Sequence, residues 1–273
     1  MKTYLASVKD YSGYLQLSKR QKIIIASILV TLGLIVSTQT VSFLYAKFRL
    51  IFVLGIIGYL LSLWALWEGM SKSKALILLI LPTLYTVSVT SFYFLLPIRW
   101  LTRLPIAVLF AISFYTLLLS QNVFNVASLR TIPLYRAAST SSFLFTIITS
   151  FFLYNVVFAL NLPFYWNGVV VAFLSFLLII QVLWSVKMEK ITGQIITYSL
   201  ILGLLIGEGA VALSFWPVAP TIWSLALSTY LYILLGVVND YLRDRLNKRH
   251  LREYIFVAAT VLTFSFLVTS WSG

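Results

Sequence analysis

The sequence predicts an all-α fold: a polytopic transmembrane helix bundle of about nine spans, with the N-terminus inside and the C-terminus outside. Three observations predict it. The 273 residues are 61% hydrophobic and 10% charged, with a mean hydropathy of +0.98, whereas a soluble domain carries about 25% charged residues. Uncharged apolar runs reach or exceed the roughly 18–20 residues that cross a bilayer, more apolar surface than a soluble core of this size can hide. Runs such as 23–36 and 168–180 do not alternate apolar with polar, as the strands of a transmembrane barrel do.

Each element follows from where the charges and breakers fall. Residues 1–22 are a basic cytoplasmic or interfacial segment with Lys2, Lys9, Lys19, Arg20 and Lys22, and 23–273 form the transmembrane domain. No small-x-small cleavage signal follows the first apolar run, so it reads as a retained span. Span 1 covers about 23–45 and span 2 about 50–67, ended by Glu68 and Gly69. Span 3 covers about 75–96 with Pro82 as a kink. Arg99, Trp100 and Arg103 form the next loop, and span 4 covers about 105–122. Residues 125–139 read as an interfacial connector, and leave eight or ten spans open as counts. The uncharged stretch 137–186 is too long for one helix and breaks at Asn161, Leu162 and Pro163. The stretch 191–239 breaks between Trp216 and Pro220, and the last span is about 254–271. Leu96-Pro97-x-x-Trp100 and Leu162-Pro163-x-x-Trp166 repeat a pattern seen in transporter hairpins. The plainer reading is that proline ends a helix and tryptophan anchors at the interface.

Orientation follows from counting. With the N-terminus inside, the inner segments hold sixteen lysines and arginines and the outer segments four, as the positive-inside rule requires. That rule also accounts for the net charge of +13 without nucleic acid, because no long basic stretch is interleaved with exposed aromatics. The absence of cysteine excludes disulfides, thiolate catalysis and iron–sulfur ligation.

Few groups in the spans can carry chemistry. Glu208 is the one acid deep in a span. A carboxylate there must be protonated, paired or turned to water, so it reads as a proton or cation site or an interhelical lock. The plainer alternative is a neutral acid hydrogen-bonded to a neighbouring span. Gly203 and Gly207 form a Gly-x-x-x-Gly pair that lets another helix approach closely, including one from a protein partner or a second copy. Asn155, Gln181 and the stripe Thr83, Thr86 and Thr90 are milder polar groups. The stripe can line a polar path with Glu208, or simply make interhelical hydrogen bonds. Arg99 and Arg103 on an outer loop, and Arg130 and Arg136 on the inner connector, are candidates to grip lipid phosphate, with snorkelling anchors as the default.

At the inner end of span 8, Asp240 and Asp244 stand one helical turn apart and would point the same way. The stretch Asn239, Asp240 to Asp244 resembles the Asn-Asp-x-x-x-Asp cluster of the UbiA-type membrane prenyltransferases. That resemblance implies a nine-span enzyme holding Mg²⁺ against a diphosphate. The family's second aspartate cluster has no counterpart here, since the loop after span 2 offers only Glu68, and Arg243 and Arg245 can neutralise the aspartates. His250 is the single histidine, with Glu253 as its nearest carboxylate, and cannot build a two-histidine metal site. No span holds a lysine for a Schiff base, and no embedded base activates a serine. The reading therefore contains no catalytic residue, metal or cofactor.

Residues 125–140, NVASLRTIPLYRAAST, with the phenylalanine-rich span and Leu-Pro-Phe turn that follow, are similar to a family of uncharacterised multi-pass membrane proteins from candidate-phyla bacteria. The resemblance implies a bacterial inner-membrane protein with no assigned activity. The expected function is a small transporter-like bundle or non-enzymatic membrane subunit in contact with membrane lipids. The alternative is an integral membrane enzyme acting on a polyprenyl or lipid phosphate at the cytoplasmic face.

Overall fold

A computed structural model describes residues 17–39, 44–68, 70, 72–96, 100–127, 134–188 and 192–269. These form ten α-helices: α1 Lys19–Gln39, α2 Leu44–Leu66, α3 Lys72–Leu78, α4 Ile80–Leu95, α5 Trp100–Ala127, α6 Tyr135–Ala159, α7 Phe164–Lys187, α8 Gly193–Leu213, α9 Pro220–Leu242 and α10 Lys248–Val268. Among the described residues nine spans are long and apolar enough to cross a membrane, α3 and α4 together making one of them, Lys74–Leu95. The protein is a multi-pass helical membrane protein.

The breaks have local causes. The α3–α4 interruption falls at Leu79, three residues before Pro82, whose ring denies the carbonyl of Leu78 its helical partner. Asn161 and Met188 take left-handed φ values of 50° and 51° and end α6 and α7. Several boundaries differ from expectation: α1 ends at Gln39 rather than near 45, α2 begins at Leu44 rather than near 50, and α10 begins at Lys248 rather than near 254. α5 begins at Trp100 and carries Pro105 inside it, so Arg103 is a helical residue rather than a loop residue. The connector expected over 125–139 is shorter, because α5 runs on to Ala127 and α6 starts at Tyr135.

Large apolar side chains face outward as well as inward, and small hydroxyls are buried among the apolar core. Phe52, Leu101, Phe215, Phe256 and Leu267 are exposed, while Ser88, Thr90, Ser142, Thr146, Thr149 and Ser175 are buried. Many of the buried hydroxyls bond back to their own helix, as Thr146 does to the carbonyl of Ser142 and Thr149 to that of Phe145, which satisfies them without a neighbour. Such a surface is stable in hydrocarbon and not in water.

α6 is the hub. Ser142 meets Gln121 of α5 and Gln181 of α7 at 3.5 Å, and Tyr154 bonds Ser175 of α7 at 2.7 Å. Asn155 donates to Thr221 and Ser224 of α9, and Phe152 stacks near Phe92 of α4. Backbones approach closely between α7 and α8. A Cβ on Gly207 would lie 2.7 Å from Ala172 Cβ and 2.8 Å from the Gly168 carbonyl, and one on Gly203 would lie 3.0 Å from the Ala172 carbonyl. α10 is peripheral: within it only Ser265 is buried.

Candidate functional site at the charged end of the bundle

Most of the charged residues gather where α1, α3, α6, α8 and α10 begin and α2, α5, α7 and α9 end. Lys22 and Lys19 on α1 reach Glu68 beyond α2, at 2.7 and 3.7 Å. Asn125 near the end of α5 donates to the carbonyls of Leu66 and Glu68. The hydrogen bond from Lys22 holds the Glu68 carboxyl below its ordinary value, against the smaller upward push of desolvation.

Across the same end, one face of α9 carries Tyr232, Gly236 and Asp240 at helical spacing, and α10 packs on it. Tyr254 of α10 donates to Asp240 Oδ2 at 2.8 Å, and His250 Nδ1 lies 3.1 Å from the same oxygen. The Tyr254 ring lies edge-on to Tyr232 at 5.4 Å. Asn247 caps α10 by accepting from the amides of Arg249 and His250, as N-cap asparagines do. This corrects the expected partner of His250: it is Asp240, while Glu253 pairs with Arg249.

The two aspartates are not brought together. α9 ends at Leu242, and Asp244 takes a left-handed φ of 54°, which turns it off the helical face that Asp240 occupies. Asp240 is spent on α10, and Asp244 is exposed at a different hollow. The residues do not fit a paired-carboxylate Mg²⁺ site, and among the described residues no three of His, Asp or Glu cluster as metal ligands.

Nor do the arginines neutralise those aspartates. Arg243 Nε donates to Asn239 Oδ1 at 3.2 Å, its terminal nitrogen donates to Ser139 Oγ at 2.5 Å, and the guanidinium lies over the Tyr135 ring at 5.8 Å. Tyr135 in turn donates to the carbonyls of Ser185 and Val186 at the end of α7. Three helix ends thus meet around Arg243, beside a hollow of about 290 Å³ bordered by Tyr135, Val186, Leu242, Arg243, Asp244 and Arg245. Sequence reasoning missed this arrangement because Ser139 and Arg243 are 104 residues apart. The one local signal was Asn239 four residues before Arg243, a side-chain pair at helical spacing.

The remaining candidates scatter. Glu208 is exposed on the outer surface of α8, with no hydrogen bond or ion pair among the described residues, so it locks none of the described helices together. Thr86 is buried, bonds back to the Pro82 carbonyl and abuts Gly58 of α2, so it shares no path with Glu208. Gln181 and Asn155 are buried and make the interhelical bonds described above. Gly203 and Gly207 face α7 of the same chain, so that face is already occupied. Arg103, expected on an outer loop, is buried under the Tyr93 ring at 5.4 Å; starting α5 early swings it against α4. Arg136 is exposed in the first turn of α6. Arg99 and Arg130 lie outside the described residues.

The family described as Protein of unknown function (DUF5656) matches residues 60–268. The chain belongs to this family. The DUF5656 region takes in most of the bundle, from within α2 through the end of α10, and so contains residues 125–140, the Arg243 hollow and Glu208. No curated protein and no solved structure matches the chain.

Proposed function

We propose that this DUF5656 chain is a non-enzymatic subunit of the bacterial inner membrane that receives a transmembrane segment of another protein along the outer face of α8. The supporting observation is the position of Glu208. It stands five residues from the end of α8, about 7.5 Å of helix rise, on a face shared with exposed Ile201 and Leu204. A carboxylate facing lipid at that depth is costly and marks a partner. One turn further on, Ala212 borders a mostly apolar hollow of about 290 Å³ formed with α9 and α10, lined by Gly209, Ala226 and Ala258 together with Thr229, Tyr230 and larger aliphatic residues. Small residues there suit close helix packing, and the acid calls for a basic or hydrogen-bond-donating residue on the incoming helix. The subunit is favoured over a carrier because Glu208 points away from the bundle axis and Thr86 lies elsewhere. The excess of basic residues at the end that holds Lys22, Arg243 and Arg252 supports an N-terminus in the cytoplasm and a C-terminus outside. The resemblance of residues 125–140 supports an origin in candidate-phyla bacteria.

Photo-crosslinking in native membranes tests this. A crosslinker placed at Ala212 is expected to give one discrete adduct whose peptide, identified by mass spectrometry, is a transmembrane segment carrying Lys, Arg or a strong donor. Glu208→Leu is expected to abolish it. Adducts to lipid alone, or yields unchanged by Glu208→Leu, would sink the proposal, and an adduct to a second copy would replace it with self-association.

A further inference from the structure

We propose that the hollow bordered by Tyr135, Arg243 and Arg245 binds a singly charged phosphate group at the level where the spans end. The inference stands on the state of Arg243, which is independent of Glu208. A guanidinium has five N–H donors, and the structure assigns two of them, one to Asn239 and one to Ser139. The other three have no acceptor among the described residues. Arg243 is half-buried and, among the described residues, pairs with no carboxylate: Asp240 is taken by Tyr254 and His250. A partly desolvated cation held in one orientation and left without a counter-ion is a binding group waiting for an anion.

Position and charge narrow the ligand. Tyr135 opens one span, and Val186 and Leu242 close two others, so the hollow lies where lipid phosphates lie. Arg243 and Arg245 against Asp244 leave the rim with one net positive charge. That balance suits a monoanionic phosphodiester better than a dianionic monoester, and the planar guanidinium offers the paired donors that phosphate oxygens accept. The shared chemistry is a phosphate; its source is a lipid headgroup or a free ion.

Native mass spectrometry of the detergent-solubilised full chain separates these. Dioctanoyl phosphatidylglycerol is expected to be retained by the protein, with retention falling about tenfold in Arg243→Gln and unchanged in Arg252→Gln, an exposed charge-matched control. If millimolar inorganic phosphate does not displace the lipid, the source is a headgroup. If phosphate is bound in an Arg243-dependent way and the lipid is not, the source is the free ion. Should Arg243→Gln fail to fold, Arg245→Gln changes an exposed side chain on the same rim and is expected to lower retention several-fold. Retention equal in wild type and the folded variant, or equal for dioctanoyl phosphatidylglycerol and phosphate-free dioctanoylglycerol, overturns the proposal.

Discussion

At the scale of single residues, the charged end works by geometry more than by charge count. Glu68 is the clearest case. Its carboxyl is held low chiefly by Lys22, so the contact with α1 contributes stability that is fully present above the ordinary value of 4.5. That contribution is lost as the pH falls through the lower folded value. Tryptophan fluorescence in detergent, followed below pH 4.5, is therefore expected to show an acid-induced loss that shrinks in Lys22→Met and in high salt, because the pair is exposed and screened. An acid profile identical in the variant would remove Glu68 from the account. Which residues would be polar was legible in the sequence; which would meet was not. Asp240, Asp244 and His250 were all visible as titratable groups. Their pairing turned on one left-handed residue at Asp244, which no helical periodicity announces.

Among the helices, breaks were legible wherever proline, asparagine or a charge marked them, as at Asn161–Pro163 and between Leu213 and Pro220. They were misread where a helix ran through a residue that usually ends one, as α5 does at Pro105. The Gly-x-x-x-Gly pair was also legible as a contact, but the sequence does not say whether the partner is internal. Here it is α7. A side chain at 207 would meet Ala172 and the Gly168 carbonyl, which cannot retreat as the end of a flexible side chain can. Gly207→Val is expected to cost about 1–3 kcal/mol through overpacking, read as a lower midpoint of unfolding by SDS in mixed micelles. Gly193→Ala, whose Cβ would meet nothing within 4 Å, is the control expected to stay within about 0.5 kcal/mol. Equal midpoints for Gly207→Val and wild type would mean that α7 and α8 do not pack as described.

For the whole molecule, a helical membrane fold was readable from composition, because hydrocarbon forces every span to close its own backbone bonds. About nine spans were readable from the charges and breakers, with eight or ten left open until the structure gave nine among the described residues. The packing order was not readable, since lipid-facing and bundle-facing residues are both apolar. α10 shows the cost of that ambiguity. Its hydropathy marks it as a span like the others, yet it lies outside the hub and rests on α9. Ending the chain before Lys248 is expected to leave the other eight spans folded and monodisperse by gel filtration, at a lower thermal midpoint. Aggregation of the truncated chain would show that the last span belongs to the core. What fixes that span is a notch: Gly236 has no side chain, and the Tyr254 phenol fills the gap, its ring and oxygen 2.7 Å from where a Cβ would sit. A slip of α10 by one residue in either direction would pull the phenol out of its slot and strand its hydroxyl away from Asp240. The last helix therefore has one height and one rotation on the bundle, dictated by a missing methyl group, and any change at position 236 re-aims everything that α10 presents to the lipid.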